Sequence, residues 1–421
     1  MKGEVAGTYG LGTYLARIRQ FTPNARLFLA YEFFLWLNTG IYGVIFNLYL
    51  LKLGFGTDFI GLILALMAVS TGVAGLPAAV LCDRIGRKWT LVSSSALLAI
   101  SLVLLYTITT GWTLVVMGIS YGIAMAFSTV AVNPFMAENS SADERIHLFS
   151  VNYVIITLGT VAGNFGSGFL PGIIGGITGA DPAGVLPFRY TLYLSVAAVL
   201  ITLLPLLFIR EKAPLATNRV ERLRMVSQVI GSRHVHRLFI VNVLIGIGAG
   251  LIVPFFNVYF KSVLAASPEQ IGLIFSAGQI VMVAGLLLIP LMTEWIGKVR
   301  TIVLTELLSI PFLILIAATT NIYVAGFAYV LRMTFMNMAN PAIASFNMEL
   351  LGDRERATVS SLVSVGWNVF LGLSTYLCGI MIARGENMLC FAITCIVYVL
   401  AAVAYYVFFL RVEREKTSSA V

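Results

Sequence analysis

Residues 81–88 read Leu81-Cys82-Asp83-Arg84-Ile85-Gly86-Arg87-Lys88, and residues 294–298 read Glu294-Trp295-Ile296-Gly297-Lys298. A shift of 211 positions lays the second stretch on the first, with acid on acid, glycine on glycine and base on base. The same shift carries Ile60-Gly61-Leu62-Ile63 onto Ile271-Gly272-Leu273-Ile274, Glu138 onto Glu349, and Glu144-Arg145 onto Glu355-Arg356. One offset that recovers so many positions without a gap describes an internal duplication, and a repeat fixes architecture before any motif does. Each polar stretch lies between long apolar runs, so the repeated unit is a bundle of hydrophobic helices.

The 421 residues are 59% hydrophobic and only 11% charged, whereas soluble domains carry roughly 25% charged residues. Lipid is therefore the expected solvent. Disorder, collagen, a disulfide scaffold and a nucleic-acid partner are excluded by the same figures. Cys82, Cys378, Cys390 and Cys395 fall in or beside apolar runs with no CxxC spacing, so they read as thiols packed in helices, and no metal site or cofactor is expected.

A helix needs about 20 apolar residues to cross the hydrocarbon. Twelve runs qualify, at 27–51, 59–81, 89–109, 113–136, 149–171, 190–209, 238–260, 270–292, 301–318, 322–346, 358–381 and 388–410. The expected fold class is thus an all-α integral membrane protein of twelve transmembrane helices, in two six-helix pseudo-repeats around a central cavity. Its divisions are a cytoplasmic N-terminal segment (1–26), a first bundle (27–209), a cytoplasmic linker (210–237), a second bundle (238–410) and a cytoplasmic tail (411–421). No signal peptide is visible, because the first run is followed by another span and not by a cleavage site. With both ends inside, 22 Lys and Arg face the cytoplasm and Lys52, Arg189, Lys261 and Arg384 face outside; basic loops are retained inside, which sets this orientation. The net charge of +8 then reflects topology and contact with anionic membrane lipid.

Parallel six-helix repeats with a midplane site between them describe a large group of secondary transporters. Residues 81–88 resemble the signature loop of the major facilitator superfamily, G-x-L-a-D-R-x-G-R-K, with Ala79 at its leading glycine position, and residues 294–298 stand where that family carries a second copy. The resemblance covers the whole chain in helix count, linker and topology. Gly86 and Gly297 allow tight turns, and Asp83 and Glu138 offer charge-assisted partners to Arg84 and Arg87. With Arg145, Glu294, Lys298, Glu349 and Arg356, they are expected to form a gating latch on the cytoplasmic rim. The plainer account, a positive-inside signal, explains the bases but not the repeated acids and glycines.

In that family the first, fourth, seventh and tenth helices line the cavity, and the resemblance implies the same here. Tyr31, Asn38, Tyr42, Ile45 and Tyr49 share one face of the first helix at helical spacing. A tyrosine-rich wall suits an amphiphilic organic solute, although such stripes also pack helices. Asn242 and Asn257 on the seventh helix and Asn340 on the tenth join the expected lining. Ionisable residues at membrane depth are functional candidates, and Glu32, Glu306 and Arg332 are three. Glu32 either reaches the cytoplasm along the helix or acts as a proton-binding acid. Glu306, on a helix expected at the periphery, sits near water or pairs locally. Arg332 lies about ten residues into its helix, near the bilayer centre, where it either holds an anion or pairs with Glu32 or a helix carbonyl. Pro341 follows and is expected to kink the tenth helix, as Pro134 echoes in the fourth.

Gly159 to Gly168 of the fifth helix resembles the glycine-rich signature of drug antiporters, with Asn164 where that pattern has proline and Gly118 where such exporters carry a fourth-helix arginine. Close helix packing explains the glycines equally. No HExxH, GxSxG or P-loop is present, so the chain is not expected to be an enzyme. These residues together imply a monomeric, multi-pass carrier of the cell (inner) membrane that moves a small-molecule substrate by alternating access. Export in exchange for protons is the leading expectation. The alternatives are an organic-anion carrier using Arg332 and a non-transporting membrane sensor.

Overall fold

The computed structural model describes residues 21–211, 232–351 and 356–419. Among them twelve helices are long and apolar enough to span a membrane: Pro23–Lys52, Thr57–Ile85, Arg87–Thr107, Gly111–Glu138, Glu144–Thr178, Val185–Phe208, Arg233–Ser262, Pro268–Leu286, Lys298–Ala318, Ile322–Leu350, Thr358–Ala383 and Asn387–Glu415. They are numbered one to twelve below. Each encloses most of an expected run; the fifth continues past its run to Thr178, and the eighth stops short of its own at Leu286. Residues 1–20 of the N-terminal segment and 212–231 of the linker lie outside the described residues.

Two spans are broken where single helices were expected. The seventh helix stops at Gly250, passes through a 3-10 turn at Val253–Phe255 and resumes at Phe256, because Pro254 has no N–H to give the preceding turn. The eighth ends at Leu286, and a separate helix, Ile289–Ile296, carries the chain to the signature glycine. The tenth is interrupted at Ala339 between Met338 and Asn340, the place where Pro341 predicts a kink, whereas Pro134 sits inside an unbroken fourth helix.

Small residues set how the halves meet. A Cβ on Gly61 of the second helix would come within 3.0 Å of Gly379 Cα in the eleventh, and one on Gly372 within 2.8 Å of the Ala65 carbonyl. On the opposite flank, a Cβ on Gly272 of the eighth helix would meet the Asn164 carbonyl of the fifth at 2.5 Å, while Gly168 abuts the Pro268 carbonyl. Gly159 and Gly163 instead pack on the first helix, against the carbonyls of Phe33 and Leu37. The fifth-helix glycines therefore serve close backbone approach, within the first half and across the seam.

Candidate functional site

The two signature loops are built alike. Gly86 and Gly297 have φ of +89° and +86° with ψ of 166° and 164°, a region open essentially to glycine alone. Each turn starts the next helix and aims its first N–H groups outward. Glu211 accepts from the N–H of Arg87 and from that of Lys88 at 3.0 Å. Glu413 accepts from the N–H of Lys298 at 2.6 Å. A carboxylate at a helix N-terminus complements the dipole and its unpaired donors. Burial pushes the Glu211 carboxyl above the ordinary carboxylate range, against the downward pull of those two N–H groups. These acids, missed by the sequence reading, stand 202 positions apart and so fall off the repeat offset; the available signal was an acid just past the last apolar run of each half.

The charged side chains repeat too. Arg87 bonds Asp83 at 2.8 Å and Glu138 at 3.2 Å, and Lys298 pairs with Glu349 and donates to Ser345 at 3.0 Å. Both inter-helix pairs span 51 residues. Arg145 donates to the Ala137 carbonyl at 3.1 Å, while Arg84 and Glu294 are exposed. The Arg356 side chain lies outside the described residues. Each of these bonds holds helices of its own half.

Between the halves lies a cavity of about 1190 Å³. Its lining runs from Tyr42 and Tyr121 to Asp83 and Arg87 at the signature loop, with the second and fourth helices on one side and Thr358 to Thr375 of the eleventh on the other. At the far end the halves are bonded together. Asn47 Nδ2 donates to the Pro254 carbonyl at 2.6 Å and to Asn257 Oδ1 at 3.1 Å, and Asn257 Nδ2 donates to the Gly43 and Val44 carbonyls at 3.0 and 3.1 Å. Thr57 closes the second-to-eleventh seam through the Gly379 carbonyl at 3.1 Å. The broken seventh helix thus supplies a carbonyl that an intact one would have used internally. Asn47 went unnoticed in the sequence, although the shift of 211 sets it one place from Asn257.

Of the expected cavity residues, Tyr42 lines this space and Asn257 seals its far end. The others lie outside its lining. Tyr31 is buried against Ser128 at 2.9 Å, and Asn242 bonds its own helix at 2.9 Å. Asn340 is exposed at the tenth-helix break. Asn38 is fully buried, with neither amide atom bonded. Glu32 receives a bond from Trp36 Nε1 at 2.9 Å and leaves Oε1 unpartnered. Glu306 is buried, with Oε2 unpartnered. Arg332 is 3% exposed and donates to the Tyr398 hydroxyl at 2.8 Å. Its guanidinium carbon lies 5.4 and 5.7 Å from the Phe256 and Tyr398 ring centroids, distances at which a ring face attracts a cation. Its partner is thus neither Glu32 nor a helix carbonyl.

The family model for the Major Facilitator Superfamily matches residues 28–234 and 238–420. An uncharacterized MFS-type transporter of Methanocaldococcus jannaschii is 26% identical over 222 residues, a match covering 50% of this chain and 55% of that relative's length. Among solved structures, the nucleoside transporter NupG superposes with a TM-score of 0.73 at 15% identity, covering 92% of this chain and 99% of its own. An inward-facing, occupied bacterial homolog of the human lysosomal transporter Spinster gives 0.72 at 15%, covering 94% and 97%. A D-xylose-proton symporter gives 0.71 at 15%, covering 91% and 97%. With the duplicated signature loop, the twelve spans and a family match over nearly the whole chain, this multi-pass membrane protein belongs to the Major Facilitator Superfamily.

Proposed function

We propose that the chain is a secondary active transporter that exports a small amphiphilic organic solute by alternating access, in exchange for protons. The observation that carries this reading is the cavity's asymmetry: it extends to the signature loop at one end while asparagines and glycines of both halves seal the other. That is one of the two states alternating access requires. The positive-inside bias makes the signature-loop end cytoplasmic, and the duplicated loop charges form the latch that rearranges when that end closes. Glu32 is the proton site, a carboxyl at membrane depth with one oxygen left without a partner. Solved relatives in fold include a proton symporter, which supports coupling to protons without fixing direction.

Proteoliposomes carrying a pH-sensitive dye test the proposal. An imposed proton gradient should drive accumulation of a preloaded cell-extract solute against its own gradient, and Glu32→Gln should retain solute counterflow while losing the proton-driven component. Proton-driven transport that survives in Glu32→Gln would remove the residue from coupling. Absence of counterflow in folded wild-type protein would remove the carrier reading.

A further inference from the structure

The cavity's two walls differ in chemistry. On the N-terminal side Tyr42 and Tyr121 stack with centroids 5.5 Å apart, flanked by Met67 and Met125. Flat rings and adaptable thioethers accept planar or apolar surface. The Tyr42 hydroxyl directs its proton at Met67 Sδ, 3.0 Å away. A thioether is a weak acceptor, so any solute oxygen within reach offers that hydroxyl a better bond. On the other side the eleventh helix presents Ser364, Asn368 and Thr375. Asn368 Nδ2 bonds back to the Ser364 carbonyl at 2.9 Å, which uses a donor and leaves the Asn368 side-chain oxygen with acceptor capacity; Thr375 is buried and bonds the Leu371 carbonyl at 2.7 Å.

Among the described lining residues, Asp83 and Arg87 carry the charges, both at the signature loop and paired with each other at 2.8 Å. The membrane-depth charges Glu32, Glu306 and Arg332 lie outside this lining. Alternating access passes through a state closed at both ends. An ion held there without an opposite charge forfeits its hydration, which a low-dielectric site does not replace. A neutral polar solute forfeits only hydrogen bonds, which the eleventh-helix wall restores.

We infer that the carried solute is electrically neutral, with a planar or apolar face against Tyr42 and Tyr121 and hydroxyl or amide groups turned to Ser364 and Asn368. The inference rests on the carrier reading above and names the solute class of the same cavity. A cell extract separated by ion exchange into neutral, anionic and cationic pools provides the test. Each pool is dialysed against the purified protein in nanodiscs, and retained solutes are identified by mass spectrometry. Enrichment should come from the neutral pool and fall roughly tenfold in the double variant Ser364→Ala/Asn368→Leu, the loss expected for one or two hydrogen bonds. Enrichment from the anionic or cationic pool overturns the inference and leaves the carrier reading standing. Neutral solutes retained equally by the double variant overturn the assignment of the eleventh-helix wall. No retention from any pool, together with no counterflow, removes the carrier reading and this inference with it.

Discussion

Arg332 is a permanently charged group at membrane depth whose hydrogen bond goes to one hydroxyl, that of Tyr398, while its Nε has no partner. Tyr398→Phe removes that bond without changing the packing, and stranding a buried donor costs about 1–3 kcal/mol. The melting temperature in detergent should fall. Adding Arg332→Met should recover much of the loss, because replacing both members of a buried polar pair is far cheaper than breaking it. A Tyr398→Phe protein that melts like the wild type would mean that the bond contributes nothing. The depth of Arg332 was legible in the sequence as a lone cation in an apolar run. Its partner was not, since Tyr398 sits 66 residues away on a helix apolar all round, where periodicity points to no particular face.

At the level of elements, the signature turns were readable because their chemistry is local. An acid, a glycine and a base at fixed spacing specify a positive-φ turn and a pair of charges, and both turns have the expected backbone. Gly86→Ala should destabilise by about 1–3 kcal/mol through its backbone alone. It should also displace the Glu211 carboxylate, which a Cβ would meet at 2.7 Å, whereas at Gly297 the Glu413 carboxylate stands 3.2 Å away. Thermal melting should therefore show the larger drop for Gly86→Ala, and equal drops would remove the cap from the account. The breaks in the seventh and eighth helices were less legible, because proline in an apolar run permits a kink, a turn or an unbroken helix. The unbroken fourth helix through Pro134 shows the same ambiguity.

For the whole molecule, the repeat and the span count followed from pattern, while the seam did not. Which glycines touch across it depends on how two bundles lean together, and spacing along one chain carries no such information. In a cysteine-free background, single cysteines at Ser140 and Arg300 should react with an impermeant thiol reagent from the cytoplasm only, and those at Asp181 and Glu386 from outside only. Labelling of Asp181→Cys from inside would refute the orientation. The seam has its own test. Gly379→Val would drive a side chain into the Thr57 carbonyl, which even a Cβ would meet at 2.5 Å. The far end should then fail to close, and Thr71→Cys in the cavity should label more slowly from the signature-loop side. Unchanged labelling would show that the glycine contact does not govern the equilibrium.

The duplicated loop bridge is not built to equal stiffness. In the first half the planar fork of Arg87 grips carboxylates on the second and fourth helices at once, a triangulated brace across three helix ends. In the second half the point charge of Lys298 bonds, among the described residues, side chains of the tenth, and the eighth approaches its loop through a joint at Leu287 and Leu288. As machinery the two halves are a girder and a hinged arm. Compliance is lodged in the C-terminal half, beside its signature loop.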